Sequence, residues 1–358
     1  MRRALRSFLA AVTAGLAGAL GAVACTSFDS TPSDTPAEAG LPEGATTDAG
    51  QDVAEIGDAG PDATSPGDAA RAVVSVAQEN ARTAYVATDA QYIYWYSTAL
   101  KAIVRAEKAD PGHVDTLVSG PQQVVQALAV DTSGLYWIEV GPDMVQTGSR
   151  LMQLTKPISS AFAPTVLFRT TAPISRLALD SNRALTTIAG GIAGATKGGT
   201  PINFGAGNDG KSLVSDDMDA FYTFGNTYVY RLTSMGGSFK VITVPSPREL
   251  NVEGAFLYGV MGTDAGSAVF KTPKVEADAP ATAATQLVQL PGSAFFLTLD
   301  NLGVVWGDAA DGSIHRVGRL GGAVTDLASA IVGLNSIAAD ADGVYWASDT
   351  GAVGWAPR

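Results

Sequence analysis

The 358-residue chain contains one cysteine and two histidines. A single Cys excludes an internal disulfide framework and a cysteine-rich zinc site. Two histidines leave little room for imidazole-based catalysis or metal binding. Charge is also scarce, at 16% of residues, and it is lopsided: 23 Lys and Arg face 35 Asp and Glu, for a net charge of −12. The basic footprint of a nucleic-acid binder is therefore missing. No G-x-S-x-G, H-E-x-x-H or C-x-x-C string occurs, and downstream of the first 25 residues no long stretch has helical periodicity. Short apolar and aromatic runs separated by Gly and Asp turns are plentiful, and they read as strands.

The first 24 residues carry Arg2, Arg3 and Arg6, then an uncharged stretch from Ser7 to Ala24, and Cys25 follows. A basic start and an apolar middle ending in small residues make a secretory signal peptide. The paired arginines lack the rest of a twin-arginine motif, so general secretion is expected. Ala22, Val23 and Ala24 run into the only cysteine of the chain, which resembles the lipobox of bacterial lipoproteins. That resemblance implies cleavage before Cys25, a diacylglycerol on its thiol, and a membrane partner reached through the lipid; an ordinary signal peptide cut after Ala24 is the alternative. Each buried methylene contributes about 0.8 kcal/mol, and several acyl chains make a stable anchor where one is marginal. Thr26 stands where lipoproteins kept in the inner membrane tend to have Asp, which implies the outer membrane.

Residues 25–70 read as an anchored linker. From Thr26 to Ala70 there are ten acidic residues and no Lys or Arg, and Ala, Pro, Gly and Thr fill most of the rest. Such a composition buries too little apolar surface to offset chain entropy, so a disordered acidic tether is expected. As a flexible coil it would span about 37 Å. With +3 assigned to the signal and −10 to the tether, only −5 is left on residues 71–358.

Those residues repeat. An apolar run ends in an acid, a short turn follows, and then comes an aromatic run: Val86–Asp89 with Ile93-Tyr94-Trp95, Leu128–Asp131 with Leu135-Tyr136-Trp137, and Ile337–Asp340 with Val344-Tyr345-Trp346. Taking Asp89, Asp131, Asp180, Asp217, Glu253, Asp300 and Asp340 as anchors, the spacings are 42, 49, 37, 36, 47 and 40. Seven copies near that period fit the four-stranded blade of a β-propeller. The expectation is an all-β chain with a single propeller of seven blades over 71–358; a degenerate third copy leaves six or eight open. The last copy stops after three strands, and an unpaired run, Ala72–Ala77, precedes the first anchor. If that run supplies the missing strand, the ring closes and hides its edges. The Tyr-Trp pairs with following turns resemble the YWTD and NHL group of propellers. The fourth position of that motif is acidic at Glu139 and Asp308, and serine at Ser97 and Ser348.

Candidate chemistry is sparse. Gly205 to Gly210 matches G-x-G-x-x-G but lies between strands, whereas a dinucleotide site needs a following helix. Asp340-Ala341-Asp342-Gly343 resembles the start of a calcium loop without its remaining ligands, and reads as a turn. His113 is expected in a loop between outer strands and His315 on a third strand. Antibiotic lyases and gluconolactonase-like propellers use central His, Glu or Asn side chains, but no such constellation maps here. Trp95, Trp137, Trp306 and Trp346 share one repeat position and read as blade packing. Connections between second and third strands, on the expected channel-entrance face, carry Asp143, Asp264, Asp308, Asp311 and Asp349. These acids could attract a cation or a basic partner, or serve as solvated turn residues. No cofactor, metal site or catalytic residue is assigned. The expected function is that of a monomeric cell-envelope lipoprotein whose propeller binds a protein, glycan or small molecule. An enzyme with a lyase- or lactonase-like site at the channel is the alternative.

Overall fold

The computed structural model describes residues 74–120, 124–141, 148–206, 211–274 and 283–357. The export segment, Cys25, the acidic stretch 26–70, Ala72, Val73, Asp143 and residues 207–210 lie outside them. Every regular element among the described residues is a strand, and the strands form seven four-stranded antiparallel sheets. In chain order the blades are 83–119, 124–170, 174–206, 213–243, 250–290, 294–328 and 334–357, numbered 1 to 7 below; the last is completed by Val74–Gln78. The innermost strands are Thr83–Thr88, Val124–Val130, Ile174–Leu179, Leu213–Ser215, Leu250–Glu253, Ala294–Leu299 and Leu334–Ala339, and each touches the next around a closed circle. The chain is a seven-bladed β-propeller.

Closure works as the repeat implies. Val74–Gln78 pairs antiparallel with Ala352–Pro357, with Val74 opposite Trp355 and Gln78 opposite Ala352. Glu79 then fastens the junction. Its N–H donates to Gly351 O at 2.9 Å, and its carboxylate accepts the Trp95 indole N–H at 2.9 Å and the Ser97 hydroxyl. Gly351 has φ 89°, and a Cβ there would sit 2.2 Å from Glu79 O, so only glycine fits this crossing.

The core is not central. Buried apolar side chains fall into seven clusters, one at each blade junction. Tyr94 and Ile103 of blade 1, for example, pack with Leu135 and Trp137 of blade 2. Both faces of every sheet are covered by neighbours, which is why the strand runs are apolar without clean alternation. Trp95, Trp137, Trp306 and Trp346 are all buried.

The anchor acids tie these layers together. At Asp89, Oδ1 accepts the N–H groups of Gln91 and Tyr92 at 3.0 and 2.9 Å, while Oδ2 accepts the Tyr94 hydroxyl at 3.0 Å and Lys156 Nζ of blade 2 at 2.8 Å. One carboxylate thus caps its own turn, holds the tyrosine five positions on, and reaches the next blade. The cation comes from the residue just after the third strand of that blade. Lys197 meets Asp131, Lys274 meets Asp216, Lys108 meets Asp340 at 2.5 Å, and Arg319 meets Glu253 at 2.5 Å. Asp180 instead binds Arg183 of its own blade at 2.6 Å and receives Ser215 Oγ of blade 4 at 3.1 Å. Asp300 binds Arg316 at 2.6 Å.

Two expectations need correction. The fourth anchor is Asp216, which caps Met218 and Asp219; Asp217 takes the Ser181 N–H of blade 3. Adjacent acids hid that one-residue offset. His113 lies within the outer strand Asp110–Ser119, not in a loop, because a register shift at Ala106/Glu107 extends that strand through it. The Asp340–Asp342 turn offers no vacant calcium seat: the Lys108 ammonium lies 2.5 and 3.1 Å from its two carboxylates.

Burial alone would raise the Asp89, Asp131 and Asp216 carboxyls, but the lysine and backbone donors outweigh it and hold all three below the ordinary value. A carboxyl held low stabilises the fold above its ordinary value, and that contribution is lost as pH falls through the folded one. Asp89→Asn should cost about 1–3 kcal/mol in denaturant unfolding at neutral pH. Glu253→Gln, whose carboxylate is half-exposed, should cost under about 1 kcal/mol.

Candidate functional site

Because each inner strand runs from the face bearing the second-to-third strand connections toward the anchor turns, the residues just before it and at its start surround one end of the channel. A cavity of about 310 Å³ lies there, lined by residues from all seven blades. The repeat register explains the lining. Three positions before each anchor stands an apolar side chain: Val86, Leu128, Leu177, Leu213, Leu250, Leu297 and Ile337. These also join the junction clusters. Four positions before each anchor stand Tyr85, Ala127, Arg176, Ser212, Glu249, Phe296 and Ser336, and this ring varies.

Local backbone geometry serves the ring. Five inner strands shift register at this level, between Ala84/Ala87, Val125/Ala127, Ile174/Leu177, Ala294/Phe296 and Leu334/Ser336. Such bulges re-aim side chains. Tyr85 holds φ 57°, a left-handed conformation costly for an aromatic residue. At Arg176 the bulge frees the backbone N–H, which donates to Thr187 Oγ1 at 3.3 Å. Ser212 and Ser336 spend their hydroxyls on structure, accepting the N–H of Leu250 and Val86 in the following blades at 2.9 and 3.1 Å.

Arg176 and Glu249 are the charged side chains of this lining. They meet across blade 4 at 3.3 Å, with 43% and 24% of their side-chain surface exposed. Burial pushes the Glu249 carboxyl above its ordinary value, while the charge of Arg176 and its hydrogen bond pull it back. Gln126, Ser175 and Asn335 add neutral polar groups.

The loop acids are placed separately. Asp264 is exposed on the blade 5 hairpin. Asp308 and Asp311 cap their own turn, accepting the N–H of Ala310 at 2.8 Å and of Ser313 at 2.9 Å. Asp349 pairs with Arg82 at 2.6 Å and accepts Asn335 Nδ2 at 2.8 Å, so of these four it reaches the cavity wall. Asp143 falls outside the described residues. No group of three His, Cys, Asp or Glu able to hold a metal occurs among the described residues. His113 pairs with Asp115 at 3.2 Å on an outer strand; His315 stacks on Trp306 and meets Asp326 at 2.7 Å on a third strand. Neither lines the channel.

A second cavity, of about 400 Å³, opens on the opposite face between blades 1 and 2, beside Tyr92, Tyr94, Arg105 and Lys156. It is larger, but its cations are already held by Asp115 at 3.1 Å and Asp89 at 2.8 Å. The channel cavity, gathered from seven separate segments, is the better candidate. Sequence reasoning missed Arg176 and Glu249, yet counting back four from each anchor would have found both.

No family model and no curated protein matches this chain. Among solved structures it is similar to a streptogramin B lyase, at 12% identity and TM-score 0.61 over 79% of this chain and 96% of that one. A catalytically inactive histidine-to-alanine variant of virginiamycin B lyase from Staphylococcus aureus, solved with quinupristin, matches with the same identity and TM-score over 79% and 97%. PorZ of Porphyromonas gingivalis, described as an essential bacterial surface component of the type-IX secretion system, matches at 11% identity and TM-score 0.57 over 77% of this chain and 37% of that one. These likenesses show the propeller fold.

Removing the guanidinium takes away what pulls Glu249 down. In Arg176→Met, the Glu249 carboxyl should therefore titrate at higher pH than in the parent, followed by carboxyl-carbon NMR. An unchanged titration would mean that the two side chains do not interact in solution.

Proposed function

We propose that this chain is a binding module of the cell envelope, tethered by lipid on Cys25 and the acidic linker, whose ligand seat is the channel cavity. The observation that carries this reading is the Arg176–Glu249 pair, open to the cavity, with Arg176 on a bulged inner strand and Glu249 just before the regularly paired strand Leu250–Glu253. A pair serving stability alone would gain little from such exposure. Around it the wall is apolar with a few polar groups, the usual make-up of a small-molecule site. PorZ, a bacterial surface component, is a precedent for a propeller at the cell surface. An outer-membrane address remains part of the proposal, supported by the residues around Cys25.

A lyase- or lactonase-like enzyme is the second reading. Glu249 favours it, since a carboxyl raised by burial is better suited to exchange protons near neutrality. Against it, a lyase of this fold is inactive when a histidine is replaced, whereas His113 stands on an outer strand here and His315 on a third strand, neither lining the channel.

A thermal-shift screen of metabolites, run on the parent and on Arg176→Met, tests the binding reading. Compounds that raise the parent's melting temperature should lose that effect in the variant. Hits unaffected by the substitution would move the seat elsewhere. Turnover of a lyase or lactone substrate that depends on Glu249 would establish the enzyme instead.

A further inference from the structure

The cavity's charge balance narrows the ligand class, and this step rests on the channel being the seat. One positive and one negative side chain face the cavity, in contact at 3.3 Å, and the rest of its lining is neutral. An anionic ligand on Arg176 would strand Glu249 without its partner, and a cationic ligand on Glu249 would strand Arg176. Either outcome leaves a partly desolvated charge uncompensated. A ligand carrying both charges replaces both partners at once. Because Arg176 and Glu249 touch each other, the two ligand charges must also be close together, as they are when ammonium and carboxylate share one carbon.

The other lining residues extend the match. Gln126 stands on the Arg176 side, in blade 2, and its amide can donate to a carboxylate. The next level of the cavity is the seven-membered apolar ring from Val86 to Ile337, which would receive an apolar side chain and no further charge. We propose that this cavity takes the zwitterion of a free α-amino acid with an apolar side chain, its carboxylate on Arg176 and its ammonium on Glu249.

Calorimetric titration of the full chain with leucine, N-acetylleucine and leucinamide tests this. Leucine should bind, and each derivative, having lost one charge, should bind about tenfold or more weakly. Arg176→Met and Glu249→Gln should each weaken leucine by a similar factor. Absence of leucine binding, or equal binding of leucine and both derivatives, overturns the proposal. The derivative comparison needs no variant, so it decides the matter even if a substitution unfolds the chain. If leucine fails while another screened compound is lost in Arg176→Met, the zwitterion falls and the channel seat stands.

Discussion

Each blade of this propeller is a sheet with two sticky faces and no independent core, so everything depends on how neighbours are held in register. The anchor carboxylate does that at most junctions. Asp89 shows the full device: two backbone N–H groups of its own turn, the hydroxyl of Tyr94, and the ammonium of Lys156 from the following blade. Intra-blade turn geometry and inter-blade spacing are set by one group. The same logic runs through Asp131, Asp216, Glu253 and Asp340 with their lysine or arginine partners. At Asp180 and Asp300 the cation comes from the same blade, and Asp180 reaches the next blade through the Ser215 hydroxyl instead.

That frame leaves one ring free to vary. Residues three before the anchors are apolar in every blade, because they pack the junctions. Residues four before them vary more and include Tyr, Ala, Arg, Ser, Glu and Phe, of which Tyr85, Ala127 and Phe296 pack against junction clusters. Two of the seven, Ser212 and Ser336, are recruited to bond the next blade. Arg176 and Glu249 are left toward the cavity, Arg176 beside a bulge of its inner strand and Glu249 just before a regularly paired one. Rigid junctions and an irregular inner rim suit a scaffold that positions a few side chains.

Much of the architecture was legible from the chain. The spacing of the acidic anchors and the Tyr-Trp pairs implied seven four-stranded blades, and the truncated last copy implied closure by an N-terminal strand. Asp216 and Asp217 stand side by side, and only the position of Leu213, three before the first of them, distinguishes the anchor from its neighbour. The inter-blade lysines carry a weaker signal, since only their place directly after the third strands unites Lys108, Lys156, Lys197 and Lys274. The bulged outer strand around His113 has little apolar signal, so its sequence reads as a loop. The channel pair was harder to read, since Arg176 and Glu249 belong to different blades and neither sits in a motif. Position relative to the anchor identifies them, which means that the fold has to be read before the site.

The closed ring is the claim on which the rest stands, and differential scanning calorimetry of two deletions tests it. Removing residues 72–77 takes out most of the strand that completes the last blade, and a large drop in melting temperature or loss of a cooperative transition is expected. Removing residues 26–70 should leave the melting temperature of the parent. Equal melting temperatures for the two deletions would contradict closure through Val74–Gln78.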